Sequence, residues 1–160
     1  QTGHGVPGLE TIFECAKTDR DVSIIADGGI KNSGDIVKAL AAGADAVMVG
    51  SMLAGTAETP GNMLQDSDGN KWKVYRGMAS KEAQMDWRGR CSSFEGVATR
   101  VPNRGPVTSI LEDIERGVRS GFSYSGAHNL KELHAVAQFV SQTSSGLSES
   151  KTHILARNWS

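Results

Sequence analysis

The chain has 160 residues, 38% of them hydrophobic, with 17 Lys and Arg against 18 Asp and Glu and a formal net charge of −1. That size suits one domain, and so balanced a charge argues against a nucleic-acid or membrane-surface partner, which would need a basic face. No apolar run approaches the roughly 18 residues of a membrane span, no secretory signal opens the sequence, and Cys15 and Cys91 are too few and too far apart for a disulfide framework or a zinc motif, so a reducing cytoplasm is the expected setting.

The sequence opens at Gln1 without Met, directly in the loop-like T-G-H-G-V-P-G. Gly8 to Lys17 then reads as a helix, with Leu9, Ile12, Phe13 and Ala16 at helical spacing. The run from Gly3 to Gly8 matches the letters of a phosphate-binding G-x-G-x-x-G, but it has no preceding strand, and Pro7 removes an amide donor from the loop that would cradle the anion. Cys15, beside Ala16, is expected to be a packed helix residue rather than a nucleophile.

Val22 to Met52 is the organising stretch. Val22, Ile24, Ile25 and Ala26 form an apolar run ending in Asp27-Gly28-Gly29, and Ala46 to Val49 form a second one ending in Gly50-Ser51. The pattern between them is helical: Asn32 or Ser33 as N-cap, Asp35 in the first turn, Ile36, Val37, Leu40 and Ala41 facing the sheet, and Gly43 as the stop. This is a βαβ unit, and strands apolar on both faces belong to parallel sheets covered by helices. The carboxyl ends of such strands, with the loops that follow, face the ligand. Gly28 and Gly29 leave backbone N–H groups bare, Ser51 adds a hydroxyl at the start of an expected short helix to Ala57, and Asp27 would suit a diol such as a ribose. The provisional ligand is a ribose phosphate, although D-G-G is equally an ordinary βα turn.

Asn62 to Arg76 reads as a hairpin around Q-D-S-D-G-N, with Lys71 to Tyr75 as its second strand. Tyr75-Arg76-Gly77-Met78-Ala79-Ser80 brings a phenol, a close-approach glycine and the Ser80 hydroxyl to a phosphate and base pocket. Lys81 to Pro106 is expected to be a long irregular lid. In it, Glu95 is the only acid after Asp86. Val107 to Ser120 is an amphipathic core helix, Gly121 to Gly126 a small-residue loop suited to a ligand, and Leu130 to Gln142 a last helix capped by Asn129. The tail from Thr143 is expected to be extended. The four His residues show no H-E-x-x-H type of spacing, so no transition-metal site is expected.

With these residues in view, Thr2 to about Leu133, with a weaker likeness on to His153, resembles the C-terminal half of the IMP dehydrogenase and GMP reductase superfamily. The pieces that carry the likeness are T-G-H-G-V-P, I-A-D-G-G-I, A-G-A-D-A-V-M-V-G-S, Y-R-G-M-A-S, Glu95-Gly96, R-G-P-V and G-V-R-S-G-F-S-Y-S-G-A, in the family's order. The resemblance implies an α/β fold, the C-terminal half of a (β/α)8 barrel with a flap excursion. The N-terminal half of the barrel would then be further sequence of the same protein or a separate chain, and the assembly a homotetramer.

The resemblance also implies the site. Asp27 would hold the ribose hydroxyls of GMP or IMP, Gly28, Gly29, Gly50, Ser51 and Tyr75 the 5′-phosphate, and Gly77, Met78, Ala79 and Gly96 the purine. Met78, Cys91, Ser92, Ser120, Gly121, Phe122 and Ser123 would contact NADPH, or NAD in the alternative. The family's nucleophilic cysteine, which attacks purine C2, would lie a few residues before Gln1; neither Cys15 nor Cys91 matches its position. Family dehydrogenases carry an Arg-Tyr pair that activates water, and between Met78 and Arg104 there is none; Trp87-Arg88 is the nearest. The spacing E-G-x5-P-x-[RK]-G from Glu95, D-I-x-x-G-V-R-S and L-K-E-L match GMP reductases, with Glu95 as the acid that handles proton transfer to ammonia. A-G-T-A-E-T-P-G and the tail favour IMP dehydrogenases, where backbone carbonyls of Glu149, Ser150 and Lys151 would help bind K⁺. GMP reductase is the expected activity, with IMP dehydrogenase or a non-catalytic nucleotide-binding paralogue as alternatives.

Overall fold

The computed structural model describes residues 4–78, 80–90 and 98–150. The chain starts with α1 (Gly8–Cys15), whose Ile12 packs on the core and whose Phe13 ring stands edge-on to Phe139 at 5.0 Å between centroids. Cys15, expected to be packed, is exposed, because it is rotated off the stripe that Ile12 and Phe13 define.

The βαβ unit forms as expected. β1 (Ile25–Asp27) and β2 (Ala46–Met48) pair in parallel, with Ile25, Ala26 and Asp27 opposite Ala46, Val47 and Met48. The connecting α2 (Ser33–Ala41) begins with a reciprocal cap: Asn32 Oδ1 accepts from Asp35 N at 2.9 Å and Asp35 Oδ2 accepts from Lys31 N at 3.0 Å. Asp45 locks the strand starts together, since its N–H donates to the Ile24 carbonyl at 2.8 Å and its Oδ2 accepts from Ile24 N at 2.7 Å. Ala26, Ile30, Ile36, Ala39 and Ala44 make the buried core, with Ile12, Ile114 and Val118 packed against it.

Burial on both faces of the strands is not observed. Ala26 is buried, but Ile25 is 57% and Met48 53% exposed. Residues of α1 and α2 pack on the Ala26 face, while among the described residues nothing covers the other face or pairs the second edge of β1.

Ser51 to Ala57 is a run of turns instead of a short helix. The N–H groups of Leu53, Ala54 and Thr56 reach only three residues back, while Ala57 N donates to Gly105 O at 2.8 Å and Gly55 O accepts from Arg104 N at 3.0 Å. Those long-range bonds consume groups that a helix would use internally. The hairpin is present as β3 (Leu64–Gln65) against β4 (Lys71–Arg76). The Asp66 carboxylate closes its turn by accepting from Asn70 and Asp68, bonds that hold its pKa below the ordinary carboxylate value.

The expected lid contains regular structure. α3 (Lys81–Arg88) is capped by Ser80, whose Oγ accepts from Ala83 N at 3.2 Å; Ser80 is fully buried and is a helix cap rather than a pocket hydroxyl. β5 (Ala98–Pro102) pairs antiparallel along β4, from Trp72 opposite Pro102 to Arg76 opposite Ala98, and the Arg100 guanidinium lies 4.1 Å from the Trp72 ring centre.

The loop expected from Gly121 is the end of α4 (Val107–Ser125), which Gly126 terminates at φ +72°. Gly117 and Gly121 form a notch against α2. A Cβ on Gly121 would meet Val37 Cγ2 at 2.5 Å, and one on Gly117 would overlap the Ser33 side chain. Pro106 offers α4 no side-chain cap, and Glu58 Oε2 supplies it from 49 residues away by accepting from Val107 N at 2.9 Å. The last expected helix stops early, as α5 (Leu130–Val136), where the chain turns extended at Ala137 and carries Phe139 to Phe13. The tail is not wholly extended: α6 (Ser144–Glu149) follows, capped by Thr143 Oγ1.

Two outcomes follow from this packing. Gly121→Ala gains roughly 1 kcal/mol of helix propensity but forces a methyl into Val37, so a net loss of about 1–3 kcal/mol in a denaturant melt is expected; a gain would show a loose α2–α4 contact. Residues 1–160 expressed alone should aggregate or be molten, because the Ile25 and Met48 face is open; a cooperative, reversible melt would contradict this.

Candidate functional site

Parallel pairing in register, with Asp27 opposite Met48, brings the carboxyl ends of β1 and β2 side by side, so Asp27-Gly28-Gly29 and Gly50-Ser51 leave adjacent strands on one side. Gly28 and Gly29 sit at φ +100° and +77° with nothing within 4 Å of a Cβ at either. The backbone conformation and not crowding demands glycine there. The Asp27 carboxylate is exposed and makes no hydrogen bond or ion pair among the described residues. It is free to accept from a ligand.

The second strand end is met by the hairpin. A Cβ on Gly50 would lie 3.2 Å from the Tyr75 hydroxyl, so the phenol oxygen rests over bare backbone at the start of the turn that holds Ser51. Gly50, Tyr75, Arg76 and Met78 line a cleft of about 740 Å³ together with Asp86 and Trp87. Met78 is 69% exposed at this cleft, Gly77 is half-buried between it and β4, and Arg76 is paired with Asp86 at 2.6 Å. Asp27, Gly28 and Gly29 line a different hollow of about 540 Å³ that runs along β1 to Ile12 and Asp35. The expected set is therefore brought to neighbouring strand ends but divided between two clefts.

Other expected residues are not brought there. Ser120, Gly121, Phe122 and Ser123 are helical and line neither cleft; Gly121 faces Val37, and Phe122 and Ser123 border a smaller hollow with Arg119 and His128. Glu149 ends α6 and Ser150 is its C-cap, with Ser150 Oγ donating to Leu147 O at 2.9 Å. Ala79, Cys91, Ser92, Glu95, Gly96 and Lys151 lie outside the described residues. Among the described residues no cluster of three His, Cys, Asp or Glu could hold a metal, and no helix is long and apolar enough to cross a membrane.

Sequence reasoning missed Lys73. It is 4% exposed, lines the cleft with Tyr75, and donates from Nζ to the carbonyls of Ala57 at 3.0 Å and Thr59 at 2.6 Å. The available signal was the K-x-Y alternation, which puts both side chains on one face of β4.

A family model described as the IMP dehydrogenase / GMP reductase domain matches residues 1–153. An inosine-5′-monophosphate dehydrogenase of Nitrosopumilus maritimus is 45% identical over 95% of this chain, and a GMP reductase of Leishmania major 44% identical over 97%. Among solved structures, a GMP reductase variant of Trypanosoma brucei in complex with guanosine 5′-monophosphate superposes with a TM-score of 0.86 at 45% identity over 96% of the chain. An inosine 5′-monophosphate dehydrogenase of Legionella pneumophila gives 0.74 at 52% over 91%. The chain spans 35% and 34% of the two curated relatives, and 33% and 45% of the two solved chains.

Proposed function

The chain belongs to the IMP dehydrogenase / GMP reductase family, and from that premise we propose that the full-length protein is a purine nucleotide oxidoreductase, specifically a GMP reductase that converts GMP to IMP and ammonia. The observation that carries the nucleotide reading is the approach of the Tyr75 hydroxyl to Gly50 at a strand end beside Asp27-Gly28-Gly29. That arrangement offers bare amides and a phenol to a phosphate, and a free carboxylate to a ribose diol.

The choice of reductase rests on chemistry in the sequence. A dehydrogenase must activate water, and no Arg-Tyr pair lies between Met78 and Arg104. A reductase must instead protonate a departing amine, and Glu95 is the acid for it, three residues before Ala98, which pairs with Arg76 beside Gly77-Met78. NADPH would supply the hydride. Exposed Met78 at the cleft suits a nicotinamide ring, whereas the buried notch of Gly121 does not suit a cofactor. The open face of Ile25 and Met48 favours further strands from the remainder of a (β/α)8 barrel. K⁺ at the carbonyls of 149–151, a homotetramer and a cytoplasmic site remain part of this reading.

Purine nucleoside monophosphates should bind the full-length protein and guanosine only far more weakly, which calorimetry decides; equal affinity for guanosine would remove the phosphate assignment. Asp27→Ala should weaken GMP binding by about 2–4 kcal/mol through lost charge-assisted hydrogen bonds to both ribose hydroxyls.

Glu95→Gln keeps the shape but cannot cycle a proton, so kcat should fall by roughly 10² to 10⁴ with GMP affinity little changed. Assays in both directions discriminate the alternatives. XMP formation from IMP and NAD⁺, without GMP-dependent NADPH oxidation, would establish a dehydrogenase; activity in neither direction, with nucleotide bound, would leave a binding paralogue.

A further inference from the structure

β4 buries a cation that the nucleotide reading has not yet used. The Lys73 ammonium has three N–H donors, of which the carbonyls of Ala57 and Thr59 take two, and no carboxylate pairs with it among the described residues. A buried ammonium without a counter-ion is costly and calls for an anion. The other cation lining the cleft, Arg76, already has Asp86.

The turn at Ser51 sharpens this point. The sequence suggested a helix there, whose N-terminal dipole would supply positive potential for a phosphate. Residues 51–55 are successive turns, so that source is absent. Lys73 stands two residues before Tyr75 on the same face of β4, about 7 Å along the strand, and it holds the Ala57 and Thr59 carbonyls of the segment that follows those turns.

We propose that Lys73 is the charge partner of the nucleotide phosphate, a positioning residue that balances the dianion from behind the Gly50–Tyr75 contact and fixes the turn in register with β4. The inference rests on the nucleotide reading above. It requires Lys73 to distinguish phosphorylated from unphosphorylated ligand, which a residue that only pins the turn would not do.

The test measures GMP and guanosine affinities for full-length wild type, Lys73→Met and Lys73→Arg. Lys73→Met should lower GMP affinity about 10- to 100-fold and leave guanosine within about twofold, and Lys73→Arg should restore most of the loss. Equal weakening of both ligands, or a lower Tm with an unchanged GMP-to-guanosine ratio, overturns the proposal and leaves Lys73 a structural pin. Wild type binding guanosine as tightly as GMP overturns the nucleotide reading itself. If Lys73→Met does not fold, a crystal structure of wild type with GMP decides: an Nζ to phosphorus distance within about 8 Å, one screening length, supports the charge pairing, and a longer one overturns it.

Discussion

The turns that follow β2 are tied to distant parts of the chain by a set of long-range bonds, and the candidate site depends on them. Lys73 takes the carbonyls of Ala57 and Thr59, Arg104 Nη1 donates to Met52 O at 3.0 Å, Gly105 O accepts from Ala57 N, and Glu58 caps α4. Gly55 is pressed so close to Pro102 that no side chain fits. These contacts seat the hairpin against the end of the parallel sheet and so put Tyr75 over Gly50. They also enclose Thr56, fully buried with an unpartnered hydroxyl among the described residues. Leaving such a group unpaired costs about 1–3 kcal/mol, a load the backbone network around it has to outweigh.

A second constraint runs through the helices. α2 covers one face of the βαβ sheet with Ile36 and Ala39, and its outer side receives the glycine notch of α4 at Ser33 and Val37. Leu133 of α5 is completely buried. The helical layer is therefore closely fitted where it is present, while the opposite face of the strands is open. Among the described residues the uncovered apolar surface is thus concentrated at Ile25 and Met48, on the strand face away from the helices.

What was legible in the sequence was local. The caps at Asn32 and Asn129, the stop at Gly43 and the Asp66 hairpin turn all follow from short-range rules, because each satisfies backbone groups within a few residues; the parallel strands were legible from their apolar runs and the helix between them. What was not legible required distant partners. Ser51 to Ala57 has helical composition, but the Ala57 amide and the Gly55 and Met52 carbonyls are claimed by Arg104 and Gly105. β5 has no alternation of its own and exists because β4 offers it an edge. Gly121 reads as a loop residue until Val37 is placed against it. In the site, the glycines and Tyr75 could be named from motifs, whereas for Lys73 the alternation with Tyr75 gave only the shared face, and its role comes from where Ala57 and Thr59 lie.

The register of β4 and β5 joins the two ends of the chemistry proposed for this chain. Tyr75 pairs with Thr99 and Arg76 with Ala98, so the strand that carries the phenol is continuous in hydrogen bonding with the strand that receives the chain after Glu95 and Gly96. On the other side, Arg76 binds Asp86 of α3, which places the exit toward that same segment under the control of the residue next to Tyr75. An exposed pair of this kind contributes little to stability, and it can exchange without unfolding anything. Asp86 and Ala98, described on either side of residues 91–97, are thus both tied to Arg76, the neighbour of Tyr75. On the function proposed above, a ligand seated at Tyr75 would act on the strand that holds both, and binding would be coupled through that strand to the proton transfer proposed for Glu95.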